Sequence, residues 1–357
     1  AVTSLQDPLA LAHGPTWANR ITLAPLTNLQ SHADGSLSDD ELDWLVARGE
    51  GGFATVMTCA AHVSPEGQCW DGQLAVWDDR FLPGLTRLAT ALRESGTTSC
   101  VQLQHGGMRA SQELSGHPTV APWDDEAKGA RALSTGEVQR VVQDFVDAAV
   151  RCERAGFDGV QVHGAHAYLL AQFLDARSNH RTDAYGGSPA NRARVFHEVV
   201  DGIRAATGPD FQVGMRLTPE RSGIALAEST ALAEELMVSG AVDHLDMSLW
   251  DVRKAPFETA YDGALIDHFT ALERGSARLG VAGGIVSTAD ADWCLERGAD
   301  FVTVGTAGIL HHDFARRALA DPAFAMAATP VSRDHLRAER VGPDFIEYLA
   351  AGWDFVA

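Results

Sequence analysis

Gly159-Val160-Gln161-Val162-His163-Gly164-Ala165-His166-Ala167-Tyr168-Leu169-Leu170-Ala171-Gln172-Phe173-Leu174 runs on into Asp175-Ala176-Arg177-Ser178-Asn179-His180-Arg181-Thr182-Asp183-Ala184-Tyr185-Gly186-Gly187-Ser188-Pro189-Ala190-Asn191. The opening residues read as a short buried strand, and His163, His166 and Tyr168 follow within six residues at its end. A metal pair at His-x-x-His spacing needs a third and usually a fourth ligand, and no Asp, Glu or Cys stands at a helpful local spacing. Two hydrogen-bonded structural histidines are the other plain reading. The polar run from Arg177 to Gly187 weighs against it, because long polar loops in compact domains tend to carry function.

Working outward, seven more short apolar runs lie around this one, giving Ile21–Pro25, Phe53–Thr58, Ser99–Leu103, Val160–His163, Gln212–Arg216, His244–Met247, Gly280–Ala282 and Phe301–Val304. They lack strict polar alternation, as strands buried on both faces should, and most are followed by helical pattern. Eight strand–helix units imply an α/β chain closed as a (β/α)₈ TIM barrel. Ser38-Asp39-Asp40-Glu41 and Ser134-Thr135-Gly136-Glu137 read as capping boxes, and Ser188-Pro189 as a cap with proline at the first helical position. Gly49, Gly96, Gly156, Gly208, Gly240 and Gly298 sit near helix ends, where a left-handed residue is expected. Two connections, Gln104 to Ala132 and Gly164 to Gly187, are too long for simple turns; both follow strands, so both should lie over the same barrel mouth. With no internal linker, 1–357 reads as one domain. Its tail from about Pro330 carries Phe345, Tyr348, Trp353 and Phe355; core packing is the expectation there, with contact to a second copy of the chain, hence a homo-oligomer, left open.

The 357 residues carry 28 Lys and Arg against 48 Asp and Glu, a net charge of −20. With a pI near 5.0, such a chain repels nucleic acid and anionic membranes. Five scattered cysteines without Cys-x-x-Cys indicate neither a disulfide framework nor a zinc or iron–sulfur site. No run resembles a signal peptide or a membrane span, so a soluble cytoplasmic protein is expected.

Barrels of this kind place their sites at the C-terminal strand ends. Those ends carry Ala24-Pro25-Leu26-Thr27, Thr58-Cys59-Ala60, Gln102, His163 with His166 and Tyr168, Arg216, Met247-Ser248, Ala282-Gly283-Gly284 and Gly305-Thr306. The stretch Val160–Arg192 resembles the segment of the old yellow enzyme family, flavin-dependent ene-reductases, that reads His-x-x-His or His-x-x-Asn, one residue, Tyr-Leu, then Phe-Leu, Ser-Asn, Arg-Thr-Asp, Tyr-Gly-Gly-Ser and Asn-Arg. The likeness extends from Trp17-Ala18-Asn19-Arg20 to Leu310.

It implies noncovalent FMN as cofactor, NADPH or NADH as reductant, and a small activated alkene as substrate. The flat ring would lie on Ala24, Pro25 and Ala60, with Leu26 also binding the cofactor, Thr27 near its O4, Gln102 at the pyrimidine edge and Arg216 at the N1/O2 edge. Gly283, Gly284, Gly305 and Thr306 would face the phosphate at the loops after strands seven and eight. His163 and His166 would hold the substrate oxygen, and Tyr168 would donate a proton. Two departures stand out. Thr306 occupies the place of the family's phosphate-binding Arg, and Gln102-Leu103-Gln104-His105-Gly106-Gly107-Met108-Arg109 departs from the usual Gln-Leu-x-His-x-Gly-Arg. A desaturase or isomerase acting on one natural product, or a flavin-binding barrel without catalysis, are the rival readings.

Overall fold

Ile21–Leu23 (β1), Thr55–His62 (β2), Thr98–Gln104 (β3), Gly159–Gly164 (β4), Gln212–Leu217 (β5), His244–Ser248 (β6), Arg278–Ala282 (β7) and Phe301–Val304 (β8) each overlap one of the eight apolar runs. In the computed structural model, which describes residues 3–357, they form a closed, all-parallel barrel in sequence order. Closure is made by β1 on β8, with Ile21 opposite Val302 and Leu23 opposite Val304. The C-terminal strand ends therefore gather at one rim, although Thr58–Ala60 and Gln102 prove to lie within β2 and β3. Ala1 and Val2 lie outside the described residues.

One irregularity matters for the site. The β2–β3 register shifts between Met57 and Ala60, so Thr58 and Cys59 together oppose Val101. This bulge extends β2 beyond its apolar run and re-aims Ala60. Thr58 Oγ1 takes the Gln102 N–H at 3.3 Å, filling part of the interrupted ladder.

Helix Thr135–Ala155 starts in a complete capping box of Ser134 and Glu137, and helix Pro189–Ala206 is capped by Ser188. The box expected at Ser38 is only half formed. Ser38 accepts the Glu41 N–H, but the Glu41 carboxyl turns inward to Ser31 Oγ at 2.6 Å and toward the Cys59 thiol. Burial pushes that carboxyl up to about 7. Gly96, Gly156, Gly240 and Gly298 take left-handed backbone, whereas Gly49 and Gly208 do not. The turn after helix Asp39–Glu50 is made by Gly52 instead, at φ 94°.

The two long connections interlock over the rim. Val120–Ala121 pairs with Arg131–Ala132, and Arg181 reaches across to the carbonyls of Pro122 and Leu133 at 2.8 and 2.7 Å. The tail folds back in part: Phe345 packs edge-on against Trp44 at 4.9 Å, and Phe355 is buried. Trp353 corrects the expectation of core packing, because it stays 48% exposed and borders the rim cleft. Among the described residues no helix is long and apolar enough to cross a membrane.

Candidate active site

His163 stands one residue before the end of β4, directly beside Arg216 of β5, its register partner. The chain then reverses through two consecutive left-handed residues, His166 at φ 60° and Ala167 at φ 57°. Non-glycine residues hold such backbone at a cost of about 1–3 kcal/mol each, and sites are where it is found. The reversal sets Tyr168 at the head of helix Leu169–Leu174 and gathers three rings. His163 lies edge-on to His166 at 5.0 Å and to Tyr168 at 5.1 Å. Arg109 braces the group, its guanidinium 4.2 Å over the Tyr168 ring and bonded to the His166 carbonyl.

The protonation states follow from these surroundings. Burial first, then His166, Arg216 and Arg109, hold His163 well below the ordinary histidine range. Its Nδ1 accepts the Ala165 N–H at 3.3 Å, which leaves the proton of the neutral ring on Nε2. His166 is exposed to the cleft, yet the protein mass around it, with Arg216 and Arg109, also lowers it. Its Nε2 meets Ser248 Oγ at 2.7 Å. Burial pushes the Tyr168 hydroxyl up to about 12, Arg109 offsetting part of the rise, and that hydroxyl has no hydrogen-bond partner among the described residues. Two neutral imidazoles and one phenol without a hydrogen-bond partner among the described residues thus sit in mutual contact around His163.

Beside them opens a cleft of about 290 Å³ bordered by Ala24, Pro25, Leu26, His166, Arg216, Gly283, Gly284, Gly305 and Thr306 of the expected residues. His163, Tyr168, Gln102, Ala60 and Thr27 stand outside that wall; Gln102 is buried and gives an N–H to Gln161 at 3.0 Å. Gly283, at φ 135°, is held so close that an added Cβ would lie 2.5 Å from the Trp250 backbone; Gly284, at φ 68°, faces open space.

Ser248, named above at its strand end, also borders the cleft. Three further residues carry no local sequence signal for this place. Trp250 comes from the loop after β6 and Trp353 from the tail. Asp246 lies fully buried below Arg216, its Oδ2 3.6 Å from the guanidinium Nε.

The profile of the NADH:flavin oxidoreductase / NADH oxidase family matches residues 4–326. The chain is 35% identical over 313 residues to a probable NADH-dependent flavin oxidoreductase of Bacillus subtilis, covering 84% of each. It is 33% identical over 348 residues to an NADPH dehydrogenase of Bacillus pumilus, covering 96% of this chain and 97% of that one. The solved old yellow enzyme homologue of Zymomonas mobilis superposes with a TM-score of 0.80 at 26% identity, over 94% of this chain and 96% of that one. The chain belongs to the old yellow enzyme family.

As a member it is an NAD(P)H-dependent flavin oxidoreductase whose cofactor is FMN. The donor set of this family member suits such a group. Arg216 Nε, whose nearest counter-charge is Asp246 at 3.6 Å, and Gln161 Nε2 are buried donors without a hydrogen-bond partner among the described residues, and a flat electron-rich ring edge would satisfy donors of this kind. The glycine pair bares its backbone at the rim, where a side chain at Gly283 would collide.

Proposed function

We propose that this flavoprotein is an ene-reductase, reducing the C=C bond of α,β-unsaturated carbonyl or nitro compounds at the expense of NADPH or NADH. The observation that carries this is the convergence of His163, His166 and Tyr168 at about 5 Å ring spacing beside a cleft edged by Arg216. FMN, held noncovalently, supplies hydride to the alkene β-carbon when bound. Ala24, Pro25, Leu26 and Ala60 would bear its ring, Thr27, Gln102 and Arg216 its polar edges, and Gly283, Gly284, Gly305 and Thr306 its phosphate.

The chain's own residues do the rest. Negative charge grows on the substrate oxygen as hydride arrives, and His163 Nε2–H with His166 stabilises it. Tyr168, protonated and free, delivers the proton to the α-carbon. Anaerobic turnover of NADPH with cyclohexenone tests the reading. Nicotinamide oxidation without alkene-dependent product would sink it.

The pH dependence has a definite sign. Both histidines titrate below their usual value and Tyr168 above its own, so the alkene half-reaction should stay level from about pH 6 to about pH 9. An inflection near the ordinary histidine value would mean that the pair charges during turnover.

Thr306 supports a second expectation. Arg216 is the one permanent cation on the cleft wall among the described residues, and Asp246 lies beside it. Phosphate binding therefore leans on backbone amides, and Thr306→Arg should lower the FMN dissociation constant by about 10- to 100-fold through a new charge-assisted contact. Equilibrium titration at fixed ionic strength measures it, and an unchanged constant rejects the geometry.

A further inference from the structure

A second cavity of about 150 Å³ opens between the loops that follow β3, β4 and β5, and Ala167, the neighbour of Tyr168 in the chain, lines it. Arg109, Lys128 and Arg177 line it against a single carboxylate, Asp175, and Trp123 and Ser222 complete its wall. Three cations to one acid is a local inversion in a chain of net charge −20.

The nearby acids do not reverse it. Asp175 is held by Arg177 in a two-point contact at 3.0 Å, Asp124 accepts the Ala132 N–H, and Asp125 caps the Lys128 N–H. Lys128 makes no ion pair among the described residues, so its ammonium is free for a ligand. Ser222 is presented by strained backbone, being the second of two left-handed residues, Arg221 and Ser222 at φ 68° and 51°. Their loop seats against Asp175, where a Cβ on Gly223 would lie 1.8 Å from the carboxylate.

A small, enclosed, cationic space with hydroxyl and indole neighbours fits a phosphate monoester on a ribose that carries an aromatic base. NADPH and NADH differ by one such group. We propose that this cavity receives the 2′-phosphate of NADPH, with the adenine against Trp123, and makes the enzyme prefer NADPH. The proposal rests on the nicotinamide half of the function above and is independent of the alkene half.

Stopped-flow reduction of the FMN-loaded enzyme over a series of NADPH and NADH concentrations tests it. Wild type should half-saturate with NADPH at a concentration about tenfold lower, or more, than with NADH. Lys128→Glu should erase that gap, leaving the NADH constant within about twofold and both limiting rates unchanged. In parallel, 2′,5′-ADP should raise the melting temperature of the holoenzyme more than 5′-AMP does, and the difference should vanish in Lys128→Glu. Equal constants for the two coenzymes in wild type, or equal weakening of both by the variant, overturns the proposal. Should neither nucleotide reduce the flavin, the oxidoreductase function falls, while 2′,5′-ADP against 5′-AMP still decides the cavity.

Discussion

Tyr168→Phe should leave reduction of bound FMN by NADPH within several-fold of wild type while slowing reoxidation by cyclohexenone about 10²-fold or more. The substitution removes one oxygen and little else. That hydroxyl bonds to nothing among the described residues, so its loss strands no partner there, and the ring stays between Arg109 at 4.2 Å and His163 at 5.1 Å. Accepting hydride from a nicotinamide needs no proton from this side chain, whereas a ketone α-carbon does. With its hydroxyl pushed up to about 12, Tyr168 holds its proton throughout the physiological range. A nitroalkene should show a smaller penalty, because its stabilised anion can wait for a proton from water. Stopped-flow traces of the two half-reactions separate these outcomes. Cyclohexenone reoxidation at the wild-type rate would make Tyr168 a wall of the pocket and place the proton donor elsewhere.

The barrel was legible because parallel strands covered on both faces leave uninterrupted apolar runs, and all eight runs became strands. Where apolarity ends, the reading ended too early. Strand β2 continues through Cys59, Ala60 and Ala61 to His62, small and polar residues whose extension is set by the bulge and by pairing to β3. The clustering of His163, His166 and Tyr168, the trio proposed to be catalytic, was legible because its members share one turn of chain. Asp246 was not, since a single acid in a buried strand gives no hint that its partner stands thirty residues earlier. Exposed aromatics have no periodicity to reveal them, which hid Trp250 and Trp353, at 81% and 48% exposure, although both border the cleft. With Met108 ahead of it, Arg109 departs from the spacing of the motif that the chain resembles, yet its guanidinium still lies 4.2 Å over Tyr168 and bonds the His166 carbonyl.

Asp246→Asn should destabilise the FMN-free protein by about 3 kcal/mol or more, although it is nearly isosteric. The reason is what remains. Arg216 is 7% exposed and Asp246 fully buried, and they sit opposite each other in the β5–β6 register with their charged groups 3.6 Å apart. Burial drives the Asp246 carboxyl up while Arg216 pulls it back down. Removing the carboxylate leaves a guanidinium in the barrel mouth with no counter-charge, and a buried unpaired charge is among the most costly single changes. Adding Arg216→Met should recover much of the loss, giving a coupling of about 1–3 kcal/mol in the double-mutant cycle. Bound FMN should shrink the penalty of the single variant, because the ring edge proposed to lie against Arg216 offers a second partner for the same charge. Urea unfolding of the four proteins, with and without FMN, reads each of these differences. A cost below about 0.5 kcal/mol for Asp246→Asn without cofactor would show that cleft water alone solvates Arg216, and the buried acid would then have no part in holding the arginine proposed to face the flavin.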